Sequence, residues 1–383
     1  MKKFKYLKVA TAILVASFVS VAANAQTVLN VSSGGSQNMV DYVTDYLAPM
    51  FEKENPGIKI RVVGTGPGDA GSQKIMEKLE AQSKVGSKFW DMDVIVTNQK
   101  KTGEMVEANL LSKYRYEIST SKLVTSSSAK MSLGTNVDGY VMPMFHSQTA
   151  LAYNPDVVKN LPSSYDELRS WVKKYPKAFG YNGIKNGMSG VAFTAGWIYA
   201  YAGNTQQIID GPYDPKLKNS WDKVLNELKE FNKYITFTPG NAGTLDMLNR
   251  GEIVMGPVWV DMFYSWQADG RISPNLKLLL PKPGMPGQPY YYAIPAKAKN
   301  HDLAKRFIEM ATSPKVQAEG IVKRFNWYPG IDAHHVQSTL DPKVWKKVFT
   351  DIKPEELKEN AKPFPYGPFF NDIKEAYEQK VSN

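Results

Sequence analysis

Cysteine is absent from this sequence of 383 residues, and that absence excludes several features at once. Disulfide bonds, thiolate metal sites and the lipid-modified cysteine that tethers many exported proteins all require this side chain. Histidine is scarce as well, with four residues in the whole chain. His334 and His335 have no further metal ligand at a suitable spacing and are expected on the surface. We expect neither a bound metal nor a cofactor.

Several motifs of the common enzyme classes are also missing. The chain has no G-x-S-x-G elbow, no H-E-x-x-H and no Walker loop, and residues 64–68 are interpreted as a glycine-rich turn. A glycosidase can place its two carboxylates far apart in sequence, so a secreted hydrolase is the alternative from a different class. The prediction is a binding protein and not an enzyme.

The first 25 residues have the composition of an export signal. Four lysines within the first eight residues precede an apolar run over residues 9–23, and Ala23-Asn24-Ala25 fits a small-x-small cleavage site. The run is shorter than the roughly 20 residues that a bilayer span needs. We expect cleavage before Gln26. An exported chain without a lipid anchor is retained in the periplasm of a bacterium with two membranes, which is the predicted location.

The charge balance gives no sign of a nucleic-acid partner. The net charge is +10, but the chain without the four signal lysines has 43 basic and 37 acidic residues. Both signs are interspersed along the chain, which indicates a solvated surface and not a basic nucleic-acid footprint.

Length and periodicity predict an α/β protein with two lobes. About 358 residues remain after cleavage, which exceeds the roughly 250 to 300 at which single cores usually divide. Short apolar runs at residues 27–31, 58–63 and 93–96 alternate with helical patterns at residues 39–54 and 73–82. Later elements include an extended stretch at 140–153 and strands at 253–260, 276–280 and 290–295. A helix is predicted after Ser164, with Ser164 as its N-cap and Glu167 as the capping-box partner. A Pro/Gly-rich connector is predicted at 281–289.

Small polar residues follow each of the first three predicted strands. They are Ser33, Gly34, Gly35, Ser36, Thr65, Gly66, Thr97 and Asn98. In a parallel sheet these strand ends meet at one edge, where open α/β sheets bind their ligands. A serine-glycine turn before a helix suits a phosphate or carboxylate, although an ordinary helix cap explains it equally well. The similar segment 240–244 is interpreted as an ordinary loop before a helix at 245–248.

The order of these elements resembles the extracellular solute-binding proteins of ABC importers, in the large maltose-binding-protein-like family. The likeness is carried by the first strand and helix with "NPGIKIRVVG", and by "GYVMPMFHSQTALAYNPDVV" with "LPSSYDELRSW". It continues in "LNRGEIVMGPVWVDMFYSW" and "YYYAIPAKAKNHDLAKRFIEMATSPKVQAEGIVKRFNWYPGI". Each motif is loose, and their order and spacing along most of the chain carry the resemblance.

The resemblance implies a type II periplasmic-binding-protein fold, with a mixed sheet flanked by helices in each lobe and a ligand cleft between the lobes. It places the N-terminal lobe at residues 26–143 and 290–326, and the C-terminal lobe at 144–289 and 327–383. Crossovers are implied near residues 142–151, 289–294 and 327–331. A monomer that delivers a small polar solute to the transmembrane subunits of an ABC permease is the implied function.

Residues in the implied cleft suggest which solute this is. At the first crossover, sugar binders of this type often have a carboxylate, whereas this chain has His146, Ser147 and Gln148. As a donor near neutral pH, His146 would complement an anion. Trp259 and Asp261 follow a strand end that the family turns toward the cleft, and at least one of them is expected to contact the solute, while Tyr328 lies in the third implied crossover. The predicted solute is a phosphorylated or otherwise anionic metabolite, with a sugar or ferric iron as alternatives.

Tyr290, Tyr291 and Tyr292 raise the iron alternative, because adjacent tyrosinates bind iron in related proteins. Neighbouring residues of a strand point to opposite faces, however. Strand packing is therefore the favoured interpretation of the three tyrosines.

Overall fold

The computed structural model describes residues 26–35, 37–66, 68–185 and 187–382. The predicted export signal and the predicted site residue Ser36 lie outside these residues. Within the described ranges, no helix has both the length and the apolar composition needed to cross a membrane.

Strands run through the whole described chain. They are β1 (Thr27–Ser33), β2 (Ile58–Gly64), β3 (Val94–Asn98), β4 (Leu111–Ser112), β5 (Met131–Ser132), β6 (Thr135–Asn136), β7 (Val141–Tyr153), β8 (Gly180–Tyr181), β9 (Thr236–Phe237), β10 (Met255–Trp259), β11 (Lys277–Leu279), β12 (Met285–Pro295), β13 (Tyr328–Pro329) and β14 (Ala361–Lys362).

Helices alternate with these strands. They are α1 (Gln37–Asp41), α2 (Ala48–Glu54), α3 (Gly68–Lys84), α4 (Gln99–Glu107), α5 (Tyr165–Lys174), α6 (Met188–Tyr201), α7 (Thr205–Asp210), α8 (Trp221–Asn232), α9 (Asn241–Arg250), α10 (Val260–Ala268), α11 (His301–Ala311), α12 (Pro314–Val316), α13 (His334–Gln337), α14 (Pro342–Phe349), α15 (Pro354–Asn360) and α16 (Gly367–Lys380). π-Helical turns at Tyr42–Leu47 and Gln317–Arg324 continue α1 into α2 and extend α12.

A mixed sheet forms the centre of the molecule, with the strand order β10-β7-β12-β3-β1-β2. β1 pairs in parallel with both β2 and β3, while β12 is antiparallel to β3 and β7. The alternation of strands and helices in the sequence therefore predicted the fold class correctly. It also predicted the parallel pairing of the first three strands, because a helix connects each strand to the next.

β7 and β12 are the long strands that hold the sheet together. The first part of β7 pairs with β12, and its last part, residues 149–153, pairs with β10 and β11. β12 pairs with β14 at Met285 and Pro286 and with β3 at residues 290–293. β13 adds to β7 at His146 and Phe145. The three crossovers implied by the resemblance thus correspond to β7, β12 and β13, and β7 pairs with both of the others.

Helical periodicity explains how the first helical segment packs. Met39, Tyr42, Val43, Leu47 and Phe51 recur at helical spacing and are all buried in the main core. Burying each such side chain contributes about 1.5–3 kcal/mol. The segment ends where Asn55 donates its side-chain amide to the Phe51 carbonyl at 2.8 Å.

Three local predictions need correction. β12 begins at Met285, so half of the predicted connector is strand. α9 begins at Asn241, so the predicted loop forms its first turn. Ser164 caps α5 as predicted, but the Glu167 carboxylate accepts from the backbone of Ser163 at 2.7 Å and not from that of Ser164. The start of β12 is decided by a long-range contact, because Met285 and Pro286 pair with β14.

Candidate ligand-binding site

The carboxyl ends of β1, β2 and β3 meet at one edge of the sheet, as the sequence predicts. Ser33 lies opposite Gly64 on one side and Val96 on the other. The polar turns that follow the three strands are therefore neighbours. Thr65 joins the first two, because its backbone N–H and its hydroxyl both donate to the Ser33 carbonyl, at 2.9 and 3.2 Å.

Ser72, which no sequence pattern indicated, is a further residue at the edge that forms the candidate site. Its hydroxyl donates to the Gly34 carbonyl at 3.4 Å and accepts from the Asn98 backbone N–H at 3.2 Å. One fully buried side chain in the second turn of α3 thus connects the ends of β1 and β3. This arrangement places the N-terminal end of a helix of 17 residues at the joint edge of three parallel strands.

A glycine pattern in the sequence explains this close approach. Gly66, Gly68 and Gly71 have the spacing G-x-G-x-x-G between a strand and a helix, which the interpretation as a simple turn misses. Gly66 adopts a φ of +107°, and a Cβ on Gly71 would lie 1.7 Å from the Gly66 carbonyl oxygen. In nucleotide-binding turns the first glycine permits the tight turn and the third permits close packing of helix and strand. Here Gly66 permits the tight turn, and Gly71 permits the close packing of α3 against that turn.

Gly34 and Gly35 have packing reasons of their own. A Cβ on Gly34 would lie 2.9 Å from the backbone nitrogen of Ser72, and one on Gly35 would lie 2.2 Å from the Met39 sulfur. The space that these glycines leave is therefore filled by protein. The Ser33 hydroxyl is fully buried and has no hydrogen-bond partner among the described residues.

Thr97 and Asn98 are engaged in starting α4. The Asn98 side chain accepts from the Lys101 backbone N–H at 2.9 Å, which is an N-cap. The Thr97 hydroxyl lies 2.7 Å from that of Thr102, and Thr102 donates to the Asn98 carbonyl. These two residues shape the edge, with Thr97 fully buried.

His146 has a defined tautomer. The Gln148 side-chain amide donates to the carbonyls of Thr149 and Met285, at 2.8 and 2.9 Å, so its oxygen can only accept. The His146 Nε2, 3.1 Å from that oxygen, must therefore carry the proton, and Nδ1 is an acceptor. Burial lowers the pKa of His146, which keeps the ring neutral near pH 7. In this geometry Nδ1 is the ring nitrogen left for a solute, and it accepts a hydrogen bond, whereas the sequence-based expectation was donation to an anion.

Ser147 lies on the opposite face of β7, where its hydroxyl donates to the Asp261 carboxylate at 2.7 Å. Burial raises the pKa of Asp261, and the bond from Ser147 acts in the other direction. Trp259, which pairs with Thr149, is 8% exposed at the end of β10 and directly precedes α10. Tyr328 pairs with His146, and its buried hydroxyl has no partner among the described residues.

β12 brings the two groups of residues together. Tyr290 lies opposite Asn98 on one side and Phe145 on the other, and Pro289 lies opposite His146. Two strand spacings, roughly 10 Å, therefore separate the Asn98 end of β3 from His146. β12 thus links the strand ends that carry Ser33 and Asn98 to the part of β7 that carries His146.

A second polar cluster, not predicted, joins the N-terminal ends of α6 and α9. The Asn241 side-chain oxygen accepts from the Ser189 hydroxyl at 2.7 Å, and Ser189 also donates to Asn182 at 3.1 Å. Asn182 follows β8, which is parallel to β9. The second half of the chain thus repeats the arrangement of strand end and helix start. The G-N-A-G-T segment was the available sequence signal.

The three tyrosines pack as alternation in a strand requires. Tyr291 lies in a small core with Val137 and Val141, whereas Tyr290 and Tyr292 lie in the main core. The Tyr291 hydroxyl donates to the Ser128 carbonyl at 2.5 Å. Burial raises the pKa of both Tyr291 and Tyr292, which opposes the tyrosinate form that iron binding needs.

Two further features lie away from this edge. The prediction that His334 and His335 lack a third ligand is wrong, because the Asp332 carboxylate is within 4.8 Å of both rings. A surface groove of about 610 Å³ lies between α5 and α8 and includes an ion pair of Arg169 with Glu227 at 3.1 Å. The predicted site residues that the structure describes do not line this groove.

Comparison with known proteins gives a family and a fold. The sequence profile of the bacterial extracellular solute-binding proteins matches residues 47–333. No curated protein sequence matches this chain.

Solved structures with a similar fold cover nearly the whole chain. A Bordetella parapertussis protein described as extracellular solute-binding has a TM-score of 0.72 and 16% identity, over 93% of this chain and 99% of that one. The spermidine/putrescine ABC transporter substrate-binding protein PotD of Streptococcus pneumoniae has a TM-score of 0.67 and 15% identity, over 93% and 99%. Maltose-binding periplasmic protein MalE of Listeria monocytogenes, in complex with maltose, has a TM-score of 0.67 and 16% identity, over 93% of each chain. Identities this low establish the fold alone.

Proposed function

This chain belongs to the bacterial extracellular solute-binding proteins, and on that premise we propose that it captures a phosphorylated or otherwise anionic metabolite in the periplasm and delivers it to an ABC permease. The family consists of transport binding proteins, so the hydrolase alternative is set aside.

One observation carries the choice of an anion: the glycine-rich N-terminal turn of α3 lies at the joint ends of β1, β2 and β3. Unpaired N–H groups and the positive end of the helix dipole favour a negative group at such a turn. The Lys74 ammonium lies 3.9 Å from where a Cβ on Gly66 would be, and adds positive charge there. We propose that the anionic group contacts Gly66 and the first turn of α3, with Thr65 and Asn98 beside it. The buried residues Ser33, Gly34, Gly35 and Thr97 are proposed to shape the edge on which it lies.

The other end of the solute is proposed to face His146 and Tyr328, which pair with each other, with Trp259 at the end of β10 nearby. Ser147 and Asp261 are proposed to support the strand from the opposite face of β7. Nδ1 of His146 accepts a hydrogen bond, so this end should carry a hydroxyl or N–H donor. The Gln148 side chain is fully engaged inside the protein and positions His146. A hydroxylated phosphate ester combines both requirements.

A neutral sugar is the second candidate, and the acceptor on His146 is the observation that favours it. Maltose is bound by MalE, whereas PotD belongs to a spermidine/putrescine transporter. For a polyamine the candidate site offers the carboxylate of Asp261, and that carboxylate already accepts a hydrogen bond from Ser147 at 2.7 Å. Buried tyrosines with raised pKa values likewise disfavour iron.

We propose the lobe boundaries stated above, because the pairings of β7 and β12 support them. Residues 290–293 pair with β3, which belongs to the N-terminal lobe, whereas Met285 and Pro286 pair with β14 near the C-terminus. Solute binding would then shift an equilibrium between open and closed lobes.

Mass spectrometry of the solute that copurifies with the protein tests the proposal directly, followed by calorimetric titration of that solute and its dephosphorylated form. We expect clear preference for the phosphorylated form. Lys74→Gln should reduce that preference about two- to fivefold, because Lys74 is exposed and a charge contact at the surface contributes about 0.5–1 kcal/mol.

Lys78→Gln is the matched control, because Lys78 lies one turn further along α3 and pairs with Asp91 at 2.7 Å. Equal affinity for the two forms of the solute would overturn the anion proposal and favour the neutral sugar.

A further inference from the structure

Among the described residues, one group of three metal-binding side chains lies close together outside the candidate site. It consists of Asp332, His334 and His335, and one ligand atom from each lies within 4.8 Å of the others. Asp332 lies between β13 and α13, and His334 and His335 are the first two residues of α13. Nothing in the proposed capture of a solute requires them.

Asp332 is held in position by a distant part of the chain. Its two carboxylate oxygens accept from the backbone N–H and the hydroxyl of Thr125, at 3.0 and 2.6 Å. The Asp332 backbone N–H donates to the Leu123 carbonyl at 2.9 Å. Each carboxylate oxygen keeps a further lone pair for a cation. Hydrogen bonds of this kind orient a ligating carboxylate and tune its affinity.

The two histidines are placed beside this carboxylate by the backbone. The His335 N–H donates to the Asp332 carbonyl at 3.0 Å, which closes the turn between them. The two imidazole rings lie with their centroids 3.8 Å apart. His334 is exposed and His335 half-buried, so an ion and its water ligands have an open path to the rings.

We propose that Asp332, His334 and His335 bind one divalent transition-metal ion, with Zn²⁺ as the reference ion and water as the fourth ligand. Two imidazoles and one carboxylate suit Zn²⁺ and its neighbours in the first transition row. Zinc bonds of about 2.0–2.2 Å place tetrahedral ligand atoms roughly 3.3 Å apart, so the three must approach by on the order of 1.5 Å. Rotation of the exposed His334 ring supplies much of that movement.

The proposed ion would connect the residues after β13 to the segment around Thr125. Thr125 already holds Asp332, and β13 pairs with β7 at His146. The ion therefore acts at the base of a strand that contacts the candidate solute site. Mg²⁺ should bind poorly, because it prefers oxygen ligands in octahedral geometry.

Isothermal titration of the tag-free, chelator-treated protein with Zn²⁺ tests the proposal. We expect one site per chain, and no comparable heat with Mg²⁺. His334→Ala with His335→Ala should abolish this site. Thr125→Val should weaken binding about 10- to 100-fold, because it removes a hydrogen bond that orients Asp332.

His301→Asn is the matched control, since His301 is a half-buried histidine that bonds Ser112 at 2.9 Å and should leave Zn²⁺ affinity unchanged. Addition of Cu²⁺ should broaden the ring-proton NMR signals of His334 and His335 and spare those of His301. Thermal unfolding without metal confirms that each variant folds. Unchanged Zn²⁺ affinity in the double variant, or no binding by the parent protein, would overturn the proposal.

Discussion

Asp261 shows at the scale of one residue how burial and a single hydrogen bond oppose each other. Its carboxylate is half-buried at the start of α10 and accepts from Ser147 across 114 residues of sequence. Burial raises its pKa above the ordinary value of 3.8, and the bond from Ser147 limits the rise. Ionised Asp261 therefore lowers the stability of the folded protein.

The pH dependence of this effect has a definite sign. Because the pKa is raised in the folded state, the stabilising contribution of protonated Asp261 is fully present below about pH 3.8 and is lost as the pH rises through the raised value. Asp261→Asn cannot ionise. The free energy of unfolding of this variant, relative to the parent, should therefore increase between pH 4 and pH 7 in urea denaturation.

Asp269→Asn provides the comparison, since Asp269 is an exposed carboxylate just after α10. If Asp261→Asn changed the free energy of unfolding by the same amount at pH 4 and at pH 7, burial would not raise the pKa of Asp261.

His146 illustrates what sequence can and cannot predict about single residues. The sequence correctly predicted that His146 and its neighbours Ser147 and Gln148 lie in one extended strand, β7. Its proton position depends on Gln148, whose amide is fixed by the Met285 carbonyl, 137 residues away in sequence. No local pattern contains that contact, so the sequence alone could not indicate which nitrogen of His146 carries the proton.

At the scale of secondary-structure elements, α3 and the turn before it decide the shape of the candidate site. Gly71 packs directly against the Gly66 carbonyl, where a Cβ would be 1.7 Å away. Gly71→Ala should therefore destabilise the protein by about 1–3 kcal/mol, the cost of overpacking, and should weaken solute binding because the helix must shift. Chemical denaturation and calorimetric titration measure the two effects.

Gly367→Ala is the matched substitution at the start of α16, where the nearest atom, the Leu133 carbonyl oxygen, is 3.9 Å from the added carbon. It should leave both quantities nearly unchanged. A Gly71→Ala protein with parental stability would mean that α3 has room to move.

Elements with strong periodicity were predictable and those made by long-range pairing were not. The helical run at residues 37–54 and β7 follow their sequence patterns closely. The start of β12 does not, because Met285 and Pro286 are strand residues through pairing with β14, 76 residues away. The link that Ser72 makes between β1 and β3 likewise depends on the position of a helix in space.

At the scale of the whole molecule, three strands connect the proposed lobes and limit how these can move. A hinge within β7, β12 and β13 permits rotation of one lobe against the other while the sheet stays paired. We expect small-angle X-ray scattering to give a smaller radius of gyration at saturating solute than without it. A solute analogue that does not bind calorimetrically serves as the reference, and an unchanged radius would contradict closure.

The continuous pairing of β7 also restricts how this protein can evolve. Side chains in a strand alternate between faces, so inserting or deleting one residue before His146 would exchange the environments of His146 and Ser147. That single change would remove both the Nδ1 acceptor of His146 from one face and the hydrogen bond from Ser147 to Asp261 from the other. Changes of length are therefore expected to accumulate among descendants in the surface turns, while this strand diverges by substitution alone.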